Sequence, residues 1–387
     1  MVSERLKSGI LVLVTAFLTA CFVAYAFELF YVTSLRSVMR EAAAKNAVRF
    51  DGRRPFQVVR EMRDRGEKAY PALWGLNQTV PVIHINDAEV VPLAGISRSI
   101  TVFCNESGQY LVYRSDEHGF HNPSGIWNSQ HFDVAVVGDS FAQGYCVPLD
   151  QDLVASIRWQ FPSTISVGVA GNGPLKELAS IGEYVTQLKP PNVLWLYCES
   201  NDLQDLRLET SNSILSHYLS DVHFSQHLIE RQTAIDSALS RGMDLQILSQ
   251  KVEYQDLMAF LTLRNLRLRL RPNVFRESDE DYALLRTILT QADRTVKLWG
   301  GKLYLVYLPG WEHFYGQTAR YESMRQRVRQ TTRELGIPFV DVYETFRGQG
   351  DVSRLFVYAG SHYNAAGYSL AAQSVLRFAF VARAQAF

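Results

Sequence analysis

The sequence has few cysteines, no surplus of either charge and no internal repeat. Its four cysteines (Cys21, Cys104, Cys146 and Cys198) show no Cys-x-x-Cys spacing, which argues against a zinc site. Lys+Arg and Asp+Glu number 39 each, which argues against a nucleic-acid partner held by net charge. Because Cys21 lies in an apolar run, the other three allow one disulfide and one free thiol, and their spacing does not decide whether a pair forms.

The first feature that is present is an apolar run without a charged residue, from Gly9 to Phe27. It is long enough to cross a bilayer, which takes about 20 residues. Arg5 and Lys7 precede it, so we expect the N-terminus to stay in the cytoplasm and the rest to be exported. A cleaved signal peptide is the alternative, but its apolar core is usually only ~7–15 residues long. We therefore predict a cytoplasmic tail (1–8) and a transmembrane anchor (9–31).

Residues 32–130 are predicted to form a β-containing lead-in segment. Short apolar runs broken by Pro, Gly or Asn predict strands at 80–85, 89–93, 99–103 and 110–113. A turn cluster follows that contains His118 and His121. Each of these is either a site residue or, as is more common, a histidine hydrogen-bonded within an ordered loop.

The stretch Asp133–Gly144 organises the rest of the chain. Val134–Val137 is short, β-branched and followed by glycine, which predicts a buried strand. The chain then turns at Ser140, and a helix is predicted from Phe141. A serine there projects from the end of the sheet, beside the first free N–H groups of the helix, where an oxyanion is stabilised. Serine and aspartate are also common helix caps, so this motif alone leaves nucleophile and cap open.

Strand and helix patterns alternate from this point on, which indicates a parallel sheet covered by helices. The predicted strands are 134–137, 163–169, 192–198, 302–308 and 338–343, and helices are predicted over 175–188 and 364–384. The length of the chain, 387 residues of which 47% are apolar, is enough for a sizeable core.

Polar or glycine-bearing loops follow the first three of these strands and meet at the carboxyl edge of a parallel sheet. Gly171 would let its backbone N–H approach a ligand closely, and Asn201 offers a side-chain amide. With the N–H of Ser140 they would surround one oxyanion, where loss of a single donor typically costs ~10²–10³ in rate. His362 opens the last helix near the same edge, where it would take the serine proton.

In this order the motifs resemble the four sequence blocks of the SGNH/GDSL hydrolase superfamily. The matching residues are Gly138-Asp139-Ser140-Phe141, Gly168-x-x-Gly171, Asn201-Asp202 and His362-Tyr-Asn-x-x-Gly367-Tyr368. The resemblance covers residues 131–205 and 300–387.

The resemblance implies a flavodoxin-like, three-layer α/β/α fold and a serine esterase or related acyltransferase without a metal or organic cofactor. It implies that Ser140 is the nucleophile and His362 the base. The oxyanion hole would consist of Ser140, Gly171 and Asn201. Asp139 and Asp202 would support it.

One position departs from the pattern of the family, which places an aspartate three residues before the histidine. This sequence has Ala359 there. Either a backbone carbonyl orients His362 and leaves a Ser–His dyad, or another acid does so, with Asp351, Asp341 and Glu344 nearest in sequence. The third alternative is a weak or inactive site, since loss of the orienting acid costs as much as ~10⁴ in rate.

The main domain is predicted to span 131–387, with a helical insertion at about 204–278. The end of the insertion, Leu263–Pro272, places four arginines between leucines. This segment is either a surface for anionic lipid or acidic glycan, or a solvated amphipathic stretch. We expect the insertion to lie beside the catalytic edge and to shape the pocket.

These features predict an anchored, exported serine hydrolase that removes an acyl group, acetyl in particular, from an envelope or exported carbohydrate. One alternative is an O-acyltransferase that moves the acyl group to a polysaccharide hydroxyl and uses the same residues. The other is a degenerate glycan-binding domain, for which the missing aspartate is the support. The anchor and the resemblance together predict a single-pass protein of the bacterial inner membrane with a periplasmic main domain. Its predicted partners are the ester substrate and the membrane.

Overall fold

The computed structural model describes residues 2–45, 47–73, 81–249, 252–270 and 275–380. It begins with one long helix, α1 (Val2–Lys45), that continues past the end of the predicted anchor without a break. An 18-residue window of this helix has a mean hydropathy of 2.4 and no buried residue. The helix is therefore long and apolar enough to cross a membrane.

The lead-in segment contains a second helix and two small sheets. Helix α2 (Pro55–Asp64) begins with proline, whose missing N–H is no loss in a first turn. The strands are β1 (Ala69–Pro71), β2 (Ile83–Ile85), β3 (Ala88–Val90), β4 (Ile100–Val102) and β5 (Val112–Arg114). Strand β4 pairs parallel with β1 and antiparallel with β5, and β2 and β3 form a hairpin. Residue 80, the first of the predicted 80–85 strand, lies outside the described residues.

The main domain is built on one five-stranded sheet in which every pair of neighbours is parallel. Its strands are β6 (Val134–Val137), β7 (Thr164–Ser166), β8 (Asn192–Cys198), β9 (Lys302–Leu308) and β10 (Phe339–Asp341). Their spatial order is β10-β9-β8-β6-β7, which is the flavodoxin-like order 2-1-3-4-5. Strand β10 ends earlier than predicted because a helix begins at Val342.

Helices connect these strands and cover both faces of the sheet. They are α3 (Ser140–Gln143), α4 (Leu153–Arg158), α5 (Pro174–Ser180), α6 (Thr186–Leu188), α7 (Asp202–Glu209), α8 (Ser213–Ser220), α9 (Gln232–Ser249), α10 (Val252–Leu261), α11 (Arg264–Leu270), α12 (Asp279–Lys297), α13 (Trp311–Phe314), α14 (Thr318–Leu335), α15 (Val342–Arg347) and α16 (Ala365–Val375). A π-helical turn over Ile181–Val185 joins α5 to α6, so the predicted 175–188 helix is continuous. Another turn extends α16 to Phe380, and the predicted end at 384 lies outside the described residues.

Side chains of the central strand alternate between two cores, one on each face of the sheet. Val193, Trp195 and Tyr197 pack with α5, α12 and the lead-in segment on one face. Leu194 and Leu196 pack with α4, α15 and α16 on the other. This alternation follows from the period of two in a β-strand, and the predicted three-layer α/β/α fold is confirmed.

Candidate active site

The turn after β6 contains two polar residues, Asp139 and Ser140, and the structure shows which of them caps the helix. Asp139 is the N-cap of α3, since its Oδ1 accepts a hydrogen bond from the backbone N–H of Phe141 at 2.9 Å. Ser140 is the first residue of the helix and is only 7% exposed. The capping role therefore belongs to Asp139, and the hydroxyl of Ser140 can make another contact.

That contact is with His362. The Oγ of Ser140 lies 2.9 Å from Nε2 of His362, within reach of a general base that takes a serine proton. The imidazole ring stacks on Tyr145 at a centroid distance of 4.1 Å and packs against Phe141 at 5.0 Å. These two rings limit how far the imidazole can rotate away from the serine.

The second ring nitrogen of His362 is hydrogen-bonded to Glu106, an acid that the sequence motifs did not indicate. Nδ1 of His362 lies 2.9 Å from Oε1 of Glu106, and the backbone N–H of His362 donates to Oε2 at 3.2 Å. A carboxylate there favours the tautomer with Nδ1–H, in which Nε2 accepts a proton. Glu106 belongs to the lead-in segment, 256 residues before the histidine in sequence.

The acids nearest to the histidine in sequence lie elsewhere, so the candidates Asp351 and Asp341 were wrong. Asp341 pairs with Arg325 at 2.5 Å, and Glu344 pairs with the same arginine at 3.1 Å. Asp351 accepts hydrogen bonds from the backbone N–H and hydroxyl of Ser353. The three carboxylates thus have other partners, and the Ser–His dyad without an acid is not what the structure shows.

A disulfide joins the loop of the acid to the loop of the nucleophile. It links Cys104 to Cys146, which lie 42 residues apart in sequence. Cys104 is two positions before Glu106, and Cys146 follows the serine helix α3. Because the bond ties these loops together, it holds the carboxylate beside the helix that carries the serine. The remaining cysteines, Cys21 and Cys198, are free.

The loop of Glu106 also rests on the C-terminal part of α1. Gly108 has a φ of +87°, and a Cβ on it would lie 2.4 Å from Cβ of Ala43 and 2.8 Å from the carbonyl of Met39. The carbonyl of Gly108 accepts from the backbone N–H of Asp51 at 2.7 Å. Glycine is therefore required here by both the close approach and the left-handed backbone.

Asn201 lies beside the serine but is already engaged. Its Nδ2 donates to Oδ2 of Asp139 at 3.0 Å and to Oδ2 of Asp205 at 2.8 Å. Oδ2 of Asp139 also lies 3.3 Å from Oγ of Ser140, so the amide and the hydroxyl share one carboxylate. An oxyanion at this position would have to compete with Asp205 for an amide hydrogen.

The second block places the β7 loop against the serine helix. A Cβ on Gly168 would lie 2.3 Å from Cβ of Ala142 in α3, so only glycine allows the two backbones to approach this closely. Two residues later, the N–H of Ala170 donates to Oε1 of Gln143 at 2.7 Å. The loop that carries Gly171 is thereby fixed at the same edge of the sheet as Ser140.

Burial dominates the electrostatics behind the serine. It raises the pKa of Asp139 and, well above its usual range, the pKa of Asp202. Oδ2 of Asp202 accepts from the backbone N–H of Cys198 at 2.8 Å, which braces the end of β8 against α7. Asp202 thus supports the loop of Asn201 through the backbone.

The two histidines of the turn cluster, His118 and His121, make hydrogen bonds that hold the ordered loop in place. Nδ1 of His121 lies 2.7 Å from the carbonyl of Gln143, and burial lowers the pKa of its imidazole to about 4. Nδ1 of His118 lies 3.1 Å from Oε1 of Gln232. Among the described residues, no group of three or more His, Cys, Asp or Glu side chains is arranged to hold a metal ion.

Fold and site together define an α/β protein with a hydrogen-bonded serine, histidine and glutamate at the carboxyl edge of its sheet. No protein-family model and no curated protein matches the chain. Among solved structures it is similar to TesA, with 14% identity and a TM-score of 0.39 over 64% of this chain and 98% of that one.

Two further solved structures are similar over comparable lengths. A member of the lipolytic protein G-D-S-L family from Veillonella parvula shows 15% identity and a TM-score of 0.36, over 63% of this chain and 96% of that one. The lipase/acylhydrolase from Enterococcus faecalis shows 12% identity and a TM-score of 0.37, over 64% of this chain and 94% of that one.

Proposed function

We propose that this protein is a serine ester hydrolase of the SGNH/GDSL type. The observation that carries the proposal is the unbroken series Ser140 Oγ, His362 Nε2, His362 Nδ1 and Glu106 Oε1, with 2.9 Å at each hydrogen bond. An imidazole between a hydroxyl and a carboxylate is the arrangement that activates a serine nucleophile.

In the reaction, Oγ of Ser140 attacks the carbonyl carbon of the ester while Nε2 of His362 takes the hydroxyl proton. The carboxylate of Glu106 stabilises the imidazolium that forms. The N–H of Ser140, the loop of Gly171 and the amide of Asn201 are the proposed donors to the oxyanion. His362 then returns the proton to the leaving alcohol, which leaves an acyl group on Ser140.

Water completes the cycle in a hydrolase. His362 removes a proton from the water, which attacks the acyl carbonyl, and the carboxylic acid leaves as Ser140 recovers its proton. In the alternative, an O-acyltransferase, a sugar hydroxyl attacks in place of water. Both reactions use the same residues and differ only in which nucleophile reaches the acyl-enzyme.

We further propose that α1 anchors the protein in the bacterial inner membrane with its main domain in the periplasm. The length and apolar character of the helix support this topology. The disulfide between Cys104 and Cys146 supports an oxidising compartment for the main domain. For an anchored, exported esterase we propose acyl esters, acetyl in particular, of envelope or exported carbohydrate as substrates.

The test is an ester assay on the full chain in lipid nanodiscs, with an activated acetyl ester in the presence and absence of a polysaccharide acceptor. Ser140→Ala is compared with Ser211→Ala, which removes an exposed serine that bonds only to a nearby helix carbonyl. Acetate release that needs Ser140 and ignores the acceptor supports the hydrolase. Release that needs the acceptor, with acetyl found on sugar, supports the transferase. Absence of Ser140-dependent turnover with either acceptor condition contradicts both and favours the degenerate, glycan-binding domain.

A further inference from the structure

Helices α10 and α11 pack against the distal end of the predicted membrane anchor. The hydroxyl of Tyr25 in α1 donates to the carbonyl of Leu261 at 3.0 Å, and its ring packs on Phe260 at 5.4 Å. The guanidinium of Arg269 lies 5.3 Å from the ring centre of Tyr31. The two short helices therefore meet α1 between residues 25 and 31.

A buried carboxylate fixes this contact. Glu28 in α1 is 0% exposed, and its Oε1 accepts from the backbone N–H of Asn265 at 3.1 Å and from Nδ2 of the same residue at 2.8 Å. Its Oε2 accepts from the N–H of Leu266 at 2.9 Å. The carboxylate of Glu28, at the end of the apolar span, thus has its hydrogen-bond donors at the start of α11. These hydrogen bonds determine where α11 lies on α1.

Both helices expose large apolar side chains, although they belong to a domain placed outside the membrane. Leu257, Met258 and Leu261 in α10 are 49–55% exposed, and Leu268 and Leu270 in α11 are 50% and 72% exposed. We call these five residues the leucine patch. The neighbouring α1 surface is apolar too, with Leu29 and Phe30 exposed. The patch and this end of the anchor therefore both expose apolar side chains.

Cationic side chains lie around the leucine patch. Arg264, Arg267 and Arg269 in α11 are exposed, and so is Arg36 one to two turns beyond the anchor in α1. Burial lowers the pKa of the Arg54 guanidinium, and the nearby charges of Arg264 and Arg36 lower it further. Several arginines are thus gathered just past the end of the apolar span.

The predicted span of the anchor gives the position of the bilayer along α1. If residues 9–31 span it, then Tyr25 and Tyr31 lie in the last turns, at the depth where tyrosines mark the interface. The six-residue step from Tyr25 to Tyr31 rises about 9 Å along the helix axis. A segment that touches α1 there lies at the level of the lipid headgroups.

We propose that α10 and α11 form a second membrane contact, in which the leucine patch enters the outer leaflet interface and the arginines bind anionic lipid headgroups. Burial of apolar side chains and attraction of arginines to anionic headgroups both contribute to the binding of helices at a membrane surface. The contact would fix the tilt and rotation of the domain above the bilayer, which a single spanning helix leaves free. The proposal depends on the membrane anchor of the proposed function.

The test uses the full chain in nanodiscs of phosphatidylcholine, with and without phosphatidylglycerol, that carry a doxyl quencher near the headgroups. A bimane label is placed at Leu268→Cys in a Cys21→Ser background. Leu298→Cys, which is 62% exposed after α12, is the matched control outside the patch, and Val12→Cys reports on the anchor. We expect about twofold or greater quenching at position 268 relative to position 298, with a further increase when phosphatidylglycerol is present.

The outcomes separate the two proposals. Equal quenching at positions 268 and 298, with a quenched label at position 12, overturns the second contact and leaves the anchor. No quenching at position 12 overturns the anchor. Joint replacement of Arg264, Arg267 and Arg269 by Gln should remove the increase caused by phosphatidylglycerol while ester turnover is retained. If the increase persists, binding of anionic headgroups by these arginines is overturned.

Discussion

Oε1 of Glu106 lies 2.9 Å from Nδ1 of His362, and the two residues are 256 positions apart in sequence. The acid comes from the lead-in segment, whereas the histidine opens the last helix of the sheet domain. The disulfide beside Glu106 and the contact of Gly108 with α1 hold the acid in place. The lead-in segment is therefore part of the site.

Replacement of Glu106 by Gln should lower kcat for ester hydrolysis by ~10²–10⁴, because an amide no longer favours the Nδ1–H tautomer or stabilises the imidazolium. KM should change little, since the carboxylate contacts the imidazole and has no bond to Ser140. The measurement is steady-state kinetics beside Glu89→Gln, an exposed glutamate of the same segment. A Glu106→Gln enzyme with unchanged kcat would mean that the serine and histidine work as a dyad.

Reduction of the disulfide should lower both activity and stability. A crosslink that closes a 42-residue loop contributes up to about 4 kcal/mol in the chain-entropy account. The joint variant Cys104→Ser, Cys146→Ser should lose ester turnover through a misplaced Glu106 and unfold at lower denaturant. Cys21→Ser, at a free thiol, should behave as the parent. Treatment with a reductant is the decisive control. It should inhibit ester turnover by the parent but have no further effect on the double variant. Inhibition of both proteins would show that the reductant acts on something other than this disulfide.

Gly108→Ala should destabilise the protein by about 1–3 kcal/mol, because the new methyl group meets Ala43 and the backbone is left-handed. Activity should fall with it, since Gly108 is two residues from Glu106. Thermal unfolding and ester turnover are compared with Gly316→Ala, where a Cβ would meet nothing within 4 Å. Equal melting temperatures for the two variants would show that the loop does not depend on its contact with α1.

Asp205 should make the stability depend on pH. Burial raises the pKa of its carboxyl from 3.8 to about 7, so between these values the folded protein holds a proton that the unfolded chain has lost. The ionisation of Asp205 therefore lowers the free energy of unfolding as the pH rises from about pH 4 to pH 7. Above pH 7 this effect does not change further. Asp205→Asn should therefore be more stable than the parent at pH 8, by a margin on the order of 1–4 kcal/mol, and the gain should vanish near pH 4.

Denaturant unfolding at several pH values measures this difference. Asp150→Asn, which removes an exposed carboxylate, is the control. A gain for Asp205→Asn that does not change with pH would show that the carboxyl titrates normally. The same variant should also keep the side-chain oxygen that accepts from Asn201, so the loop after β8 should remain folded.

The strands and their parallel sheet could be predicted because their signals are local, whereas the flavodoxin-like fold was implied only by the resemblance to a family. Short β-branched runs such as Val134–Val137 end at glycine, and the amphipathic pattern of 175–188 has the period of a helix. The serine and histidine followed from the same logic, since each begins a helix after a strand or loop at the carboxyl edge. The ends of β7 and β10 were missed by a few residues, because hydrogen bonding to the neighbouring strand decides where pairing stops.

The sequence by itself determined the parallel sheet, the apolar N-terminal helix and the positions of Ser140 and His362, because strand, turn and helix signals lie within a few neighbouring residues. Only the tertiary structure decided that Glu106 orients the histidine, that Cys104 pairs with Cys146 and that Asn201 is held by Asp205. Such contacts join segments far apart in the chain. The Nδ1–H of an imidazole donates to whichever carboxylate the packing brings within reach, and sequence spacing therefore carries no information about the source of that carboxylate.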